Sequence, residues 1–130
     1  MKNVTGYIVF GHGSKVESAN EAVRVMAGGM AARGGYPHVE TAFLECGTPE
    51  LSTAVERLAL AGVDHIIVIP YFLTLGTHLQ RDLPILTEQA RAANPGIEIE
   101  ITPPLDGHPA LADALLGRAR EAEARAGHTG

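Results

Sequence analysis

The chain has 130 residues, of which 45% are apolar, a net charge of −5 and one cysteine. This length is that of a single domain, and no cluster of Lys or Arg is long enough to follow a phosphate backbone, which excludes nucleic acid as a partner. Apolar stretches are shorter than the ~20 residues that span a bilayer, and the N-terminus lacks a signal-peptide pattern. We therefore expect one domain over residues 1–130, in the cytoplasm and away from membranes. Because a single cysteine, Cys46, forms neither an internal disulfide nor an iron–sulfur site, any metal must be held by histidine and carboxylate side chains.

Strand-like and helix-like apolar patterns alternate along the whole chain. We predict strands at 7–10, 39–44, 65–72 and 97–101, and helices at 18–33, 48–62, 78–93 and 109–126. The second helix is expected to begin with Thr48 as its N-cap and Pro49 as its first residue. The predicted apolar stripe of the first helix consists of Ala19, Ala22, Val23, Met26 and Met30.

This alternation predicts an α/β fold with a single four-stranded parallel sheet flanked by helices and right-handed crossovers. The order 2-1-3-4 places the two most apolar strands, the first and the third, side by side at the centre. The near-continuous apolar run at 65–72 is typical of a strand covered on both faces. Helices that leave the central strands toward opposite faces open a crevice at the carboxyl edge, where ligands bind in such sheets.

Two histidines follow the two central strands at this edge. His12 lies between two glycines in the first loop, and His78 lies in the first turn of the third helix, where Gly76 permits the turn and Thr77 caps the helix. The helix dipole disfavours a charged imidazolium at His78. Glu45 follows the second strand, and positions 12, 45 and 78 are equally spaced. Two imidazoles and a carboxylate suit Co²⁺, Fe²⁺, Ni²⁺ or Zn²⁺, so all three residues are candidate metal ligands and catalytic groups.

The remaining histidines and the cysteine have structural interpretations. His38 and His65 begin strands at the opposite edge, where we expect ordinary surface side chains. His108 precedes the last helix, where we expect it to cap the helix or pack in the turn, while His128 belongs to the C-terminal tail. We expect Cys46 to be buried as a small apolar group.

Several other chemistries lack the residues that they need. A phosphohistidine enzyme requires Arg immediately before the histidine, where this chain has Gly11, and the spacing from Gly11 to Lys15 does not form a phosphate-binding loop. A receiver domain would carry an acceptor Asp after the third strand, where Pro70 and Tyr71 stand. The chain contains no Gly-x-Ser-x-Gly nucleophile motif. Metal binding by His12, His78 and Glu45 is therefore the hypothesis that remains for this edge of the sheet.

Five motifs carry a resemblance to a known family. They are Gly11-His12-Gly13-Ser14, Phe43-Leu44-Glu45 with Pro49 following, Val68-Ile69-Pro70-Tyr71-Phe72-Leu73, Gly76-x-His78-x-x-x-Asp82-Leu83-Pro84, and Pro104-Leu105-x-Gly107-His108-Pro109. Together they resemble the small class II tetrapyrrole chelatases, the short sirohydrochlorin cobalto- and ferrochelatases of the CbiX/SirB type. The resemblance runs from Gly6 to about Arg120. It implies a flavodoxin-like, chelatase-like half domain and a lyase that inserts Co²⁺ or Fe²⁺ into sirohydrochlorin, in cobalamin or siroheme biosynthesis, without a tightly bound cofactor.

The same resemblance implies a role for each part of the site. His12 and His78 bind the metal, and His12 also accepts pyrrole protons. Residues expected to contact the tetrapyrrole are Ser14, Lys15, Thr48, Leu73, Thr74, Leu75, Gly76, Thr77 and Arg81, with Lys15 and Arg81 as partners for its carboxylates. Longer relatives contain two such domains, so a single copy implies a homodimer. Two alternatives stay open: a nickel chelatase or metal carrier that uses the same site, and a non-catalytic α/β binding module.

Overall fold

The computed structural model describes residues 3–127 and confirms four successive βα units. In chain order they are β1 (Thr5–Gly11), α1 (Glu17–Gly34), β2 (Val39–Phe43), α2 (Leu51–Leu60), β3 (His65–Pro70), α3 (Thr77–Ala93), β4 (Glu98–Ile101) and α4 (Pro109–Arg125). The strands form one parallel sheet in the order β2-β1-β3-β4, as predicted. His128 lies outside the described residues. Within residues 3–127, no helix combines the length and apolar character needed to cross a membrane.

The carboxyl ends of the three strands β2, β1 and β3 lie at nearly the same level. Gly11 at the end of β1 is paired with Phe43 at the end of β2, and Phe10 is paired with Pro70 at the end of β3. Because the strands end together, the loops that follow them begin at one edge of the sheet. The register thus brings the predicted site residues to a common edge.

The hydrophobic core lies mainly on one face of the sheet, beneath α2 and α3. Its members from the strands and these helices include Ile8, Phe10, Ile66, Val68, Val55, Leu58, Leu79 and Leu83. On the opposite face of β3, Ile67 and Ile69 remain partly exposed. The prediction that both faces of this strand are fully covered is therefore wrong for the face toward α1 and α4, because these helices do not close over it.

The helix α4 packs loosely, because none of its residues is buried. A cavity of about 310 Å³ lies between α1 and α4, lined by Val9, Met26, Met30, Ile69, Tyr71, Leu105, His108, Ala110 and Leu111. A second groove, of about 580 Å³, follows α4 from Leu73 past Leu111 to Leu115. The face formed by α1 and α4, here called the α1/α4 face, therefore presents apolar side chains to solvent.

The predicted apolar stripe of α1 is only partly correct. The buried residues of this helix are Asn20 and Ala27, whereas Ala19 and Ala22 are exposed. Met26 is 53% exposed, because it borders the cavity beside α4 instead of entering the core. The buried Asn20 escaped the prediction because an amide is tolerated in the interior only when its hydrogen bonds are satisfied, which a helical pattern does not reveal.

Two helix starts differ from the prediction. The helix α2 begins at Leu51, not at Pro49, because the carbonyl of Pro49 accepts a hydrogen bond from Phe43 N (2.9 Å) and the first helical bond joins Ala54 N to Glu50 O. Thr48 is therefore not the N-cap, and the Thr48–Pro49 peptide bond is cis.

The other changed start is that of α3, which begins one residue earlier than predicted. The N-cap residue is Gly76, and no side chain caps this end of the helix. Thr77 is the first residue of the helix and therefore does not cap it. The φ of Gly76 is −70°, a conformation open to any residue, so glycine is not required there. The placement of His78 in the first turn is confirmed.

Candidate active site

The loops that carry His12 and Glu45 are joined along their backbones. Hydrogen bonds run from Leu44 N to Gly11 O (3.0 Å) and from Glu45 N to His12 O (3.1 Å), so backbone hydrogen bonding between the two segments continues past the ends of β1 and β2. Gly13 has φ +92°, and a Cβ atom there would lie 1.6 Å from the carbonyl oxygen of Glu45. Only glycine fits this close approach, which fixes the backbones of the two loops against each other.

The imidazole of His12 stands exposed at the edge of the sheet. Its Nδ1 lies 3.3 Å from the carbonyl oxygen of Gly13, and because a carbonyl oxygen only accepts, Nδ1 is the donor of this contact. The ring of Phe72 packs edge-on against His12, with centroids 6.4 Å apart and planes at 86°. Phe72 is held in turn by Phe10, at 6.3 Å and 69°. Phe72 was not among the predicted site residues because the apolar run assigned it to the strand.

The other candidate ligand, His78, is also exposed and has a cationic neighbour. The Arg81 guanidinium lies with Nη2 3.2 Å from His78 Nδ1, and Arg81 Nε donates to Asp82 Oδ1 at 3.1 Å. Because a guanidinium has donors only, His78 Nδ1 is the acceptor of this hydrogen bond. The guanidinium therefore occupies the position from which a metal cation would reach this nitrogen.

The remaining predicted contact residues all lie on the loops and helix starts that follow β1, β2 and β3. Exposed members are Lys15, Thr48, Leu73, Thr74, Gly76, Thr77 and Arg81, whereas Ser14 and Leu75 are half-buried. The loop after β3 is anchored to the next loop by hydrogen bonds from Leu105 N to Phe72 O and from Asp106 N to Leu73 O, both 2.8 Å. Positive charge from Lys15 and Arg81 thus borders the edge that carries His12 and His78.

The three candidate ligands are not gathered into one cluster. Glu45 is exposed, and among residues 3–127 no three side chains of His, Cys, Asp or Glu stand close enough to hold a metal ion together. The roles of His12, His78 and Glu45 accordingly stay predictions. What the fold supplies is a pair of exposed imidazoles, one beyond each central strand.

The other histidines and the cysteine can now be placed. His108 Nδ1 accepts a hydrogen bond from Ala110 N at 3.1 Å and caps α4, as expected. His65 at the opposite edge pairs with Glu100 through Nε2 and Oε1 at 2.8 Å, and His38 precedes β2 at that same edge. The expected burial of Cys46 is wrong: its φ of +55° places it in a left-handed turn, and the side chain is exposed.

The chain is an α/β protein with one parallel sheet in the order β2-β1-β3-β4, and basic and imidazole side chains lie beyond its central strands. The chain belongs to the CbiX family, whose model matches residues 6–122.

Relatives and solved structures agree with this assignment. The chain is 33% identical over 113 residues, which is 87% of its length, to a protein of Arabidopsis thaliana named chloroplastic sirohydrochlorin ferrochelatase. It is 32% identical over 116 residues, 89% of its length, to a Sulfurisphaera tokodaii protein named sirohydrochlorin cobaltochelatase. A crystal structure of the sirohydrochlorin chelatase SirB from Bacillus subtilis subspecies spizizenii in complex with cobalt superposes with a TM-score of 0.83 at 28% identity, over 93% of this chain.

These relatives fall into two length classes. The chain spans 50% of the Arabidopsis protein and 51% of the Bacillus chain, but 92% of the Sulfurisphaera protein. One copy of this fold therefore matches about half of the longer relatives and nearly all of the shorter one.

Proposed function

We propose that this chain is a sirohydrochlorin chelatase, a lyase that inserts Co²⁺ or Fe²⁺ as its metal substrate into the tetrapyrrole. The observation that carries the proposal is the exposure of His12 and His78 on the loops after the paired strands β1 and β3, in a chain whose residues 6–122 match the CbiX model. Imidazole nitrogens are suitable ligands for both cations. The proposed reaction needs no tightly bound cofactor, and its proposed location is the cytoplasm.

The chemistry requires one cation to enter the ring and two pyrrole N–H protons to leave. In the neutral imidazole of His12, the Nε2 lone pair would serve first as a ligand for the metal and, once the cation has moved to the ring nitrogens, as a base for a pyrrole proton, because one lone pair performs only one of these tasks at a time. Glu45 is the proposed group that accepts protons from His12 and passes them to water. Its backbone N–H donates a hydrogen bond to the carbonyl oxygen of His12. Each proton removed makes a ring nitrogen available to replace a water or imidazole ligand on the cation.

Arg81 links substrate binding to metal binding in this scheme. Its guanidinium Nη2 lies 3.2 Å from His78 Nδ1. Guanidinium groups bind carboxylates more strongly than they bind a neutral imidazole. A carboxylate of sirohydrochlorin would draw Arg81 away and release the Nδ1 lone pair of His78 for the cation. Lys15 on the opposite loop is the proposed partner of a second carboxylate.

The proposal is tested by incubating the purified chain anaerobically with sirohydrochlorin and Co²⁺, Fe²⁺ or Ni²⁺ in separate reactions. Insertion is followed by the change in tetrapyrrole absorption, with reactions lacking protein as the control. We expect Co²⁺ or Fe²⁺ to be inserted faster than in the control. Acceleration with Ni²⁺ alone would identify a nickel chelatase, metal binding without acceleration would identify a carrier, and binding of neither substrate would indicate a non-catalytic module.

We propose in addition that two copies pair through the α1/α4 face, so that two sheet edges enclose the flat macrocycle. Support comes from the loose packing of α4, the groove that runs from Leu73 to Leu115, and the match of one copy to half of the longer relatives. Exposed apolar faces of this kind are characteristic of protein interfaces.

Replacing Leu115, which is 74% exposed, with glutamate is expected to convert the dimer into monomers, because a charge would be buried at the contact. The measurement is the molecular mass by light scattering and sedimentation. The matched control is Leu60→Glu, since Leu60 is 84% exposed at the end of α2 on the other side of the sheet and should leave the dimer intact. A wild-type chain that is monomeric at all concentrations would contradict the pairing.

A further inference from the structure

The side chain of Asn20 joins the two loops that carry His12 and Glu45. It is 2% exposed, and its Oδ1 accepts a hydrogen bond from Ser14 N at 2.9 Å. Its Nδ2 donates to Ser14 O and to Cys46 O, both at 2.9 Å. Ser14 lies two residues after His12, and Cys46 follows Glu45 directly, so one buried amide spans the gap between the two loops.

Glu17, on the same helix, is a third acceptor near Asn20 Nδ2 and shares one of its two hydrogens with a carbonyl oxygen. Its Oε1 lies 3.1 Å from Asn20 Nδ2, and its other oxygen pairs with Arg24 at 2.7 Å. Hydrogen bonds from Arg24 first, and from Asn20 second, hold the pKa of Glu17 below its ordinary value, so Glu17 stays an ionised acceptor. Arg24 also reaches toward Thr48 O at 3.4 Å and stands 5.3 Å above the Phe43 ring, which ties the same helix to the loop after β2.

The arrangement has little freedom to relax around a substitution. A Cβ atom at Gly47 would come within 3.2 Å of Asn20 Nδ2, and one at Gly13 would overlap the carbonyl of Glu45. The amide therefore fills a closed space between two loops in which backbone atoms already touch.

We infer that Asn20 is a positioning residue, whose buried amide clamps the loop of His12 to the loop of Glu45 and so sets the distance between the metal-binding imidazole and its proton acceptor. The inference rests on the proposed function for its catalytic consequence, but the clamp itself is a property of the fold. An amide is suited to this task because it both accepts from Ser14 N and donates to two carbonyl oxygens, whereas a carboxylate or an alkyl group of similar shape does not.

The test compares Asn20→Asp and Asn20→Leu with Thr87→Val as the matched control. Thr87 is 3% exposed, and its hydroxyl donates to Leu83 O within α3, so its replacement also removes a buried hydrogen bond but touches neither loop. Thermal unfolding identifies the temperature at which all variants remain folded. The rate of Co²⁺ insertion into sirohydrochlorin is then measured as kcat and KM.

We expect both Asn20 variants to lose about tenfold to a hundredfold in kcat, since small displacements of reacting groups have effects of this size, while Thr87→Val stays within about twofold of wild type. The readout that is independent of activity is the imidazole resonances in ¹H–¹⁵N NMR spectra. The His12 ring signals should shift in both Asn20 variants, and those of His65 at the far edge should not.

These measurements distinguish failure of the inferred role of Asn20 from failure of the proposed chelatase function. Unchanged His12 signals in folded Asn20→Leu, or equal losses of kcat in Asn20→Leu and Thr87→Val at equal stability, would overturn the inference. A wild-type chain that inserts no metal, combined with shifted His12 signals in the variants, would contradict the proposed function and leave the clamp standing.

Discussion

Replacing His78 with alanine is expected to reduce metal insertion by at least about 100-fold while the protein stays folded. The side chain is exposed in the first turn of α3, so its removal leaves the core unchanged, but it removes one of the two imidazoles proposed to hold the cation. The measurement is the initial rate of Co²⁺ insertion into sirohydrochlorin, accompanied by circular dichroism and thermal unfolding.

The matched control for His78→Ala is His65→Ala, which removes a histidine at the opposite edge of the sheet. His65 pairs with Glu100 at the surface, and such exposed pairs contribute on the order of 1 kcal/mol or less. We expect its insertion rate to equal that of wild type. Equal rates for His78→Ala and wild type would exclude His78 as a ligand.

Replacing Gly13 with alanine is expected to lower the free energy of unfolding by about 3 kcal/mol and to reduce metal insertion by about 100-fold. The new Cβ would lie 1.6 Å from the carbonyl oxygen of Glu45, and the φ of +92° disfavours any side chain. The two loops must therefore separate, which displaces His12. Urea denaturation gives the change in stability, and the insertion assay gives the change in rate.

Gly28→Ala provides the control for the glycine substitution. Gly28 lies within α1, and a Cβ atom there would meet nothing within 4 Å, so alanine should raise stability by up to about 1 kcal/mol through its higher helix propensity. Its insertion rate should not change. A Gly13→Ala protein with wild-type stability and rate would show that the loops tolerate separation and would contradict the close packing.

Most of the fold could be predicted from the alternation of apolar patterns, because strand and helix periodicities differ, although the apolar stripe of α1 follows its pattern only in part. The run from His65 to Phe72 predicts the central strand, which the structure ends at Pro70, and the equal spacing of 12, 45 and 78 predicts one edge for all three residues. The starts of α2 and α3 could not be predicted, because they depend on tertiary hydrogen bonds such as that from Phe43 N to Pro49 O.

The site was only partly predictable for the same reason. His12 and His78 stand out because they follow apolar strands, but the contacts of Phe72 with His12 and of Arg81 with His78 appear only in three dimensions. Asn20 offers a weak sequence signal, an amide four residues before Arg24 and seven before the buried Ala27 on one helical face. Its partners lie in loops, where no periodicity exists to reveal them.

If two copies pair as proposed, the unburied helix α4 would make the behaviour of the protein depend on dilution. In the proposed assembly its leucines are shielded only while two chains remain together, and mass action separates the chains at low concentration. Specific activity should therefore rise with enzyme concentration and then level off. Covalent joining of two copies would remove that dependence, since the second copy would always be present at high effective concentration.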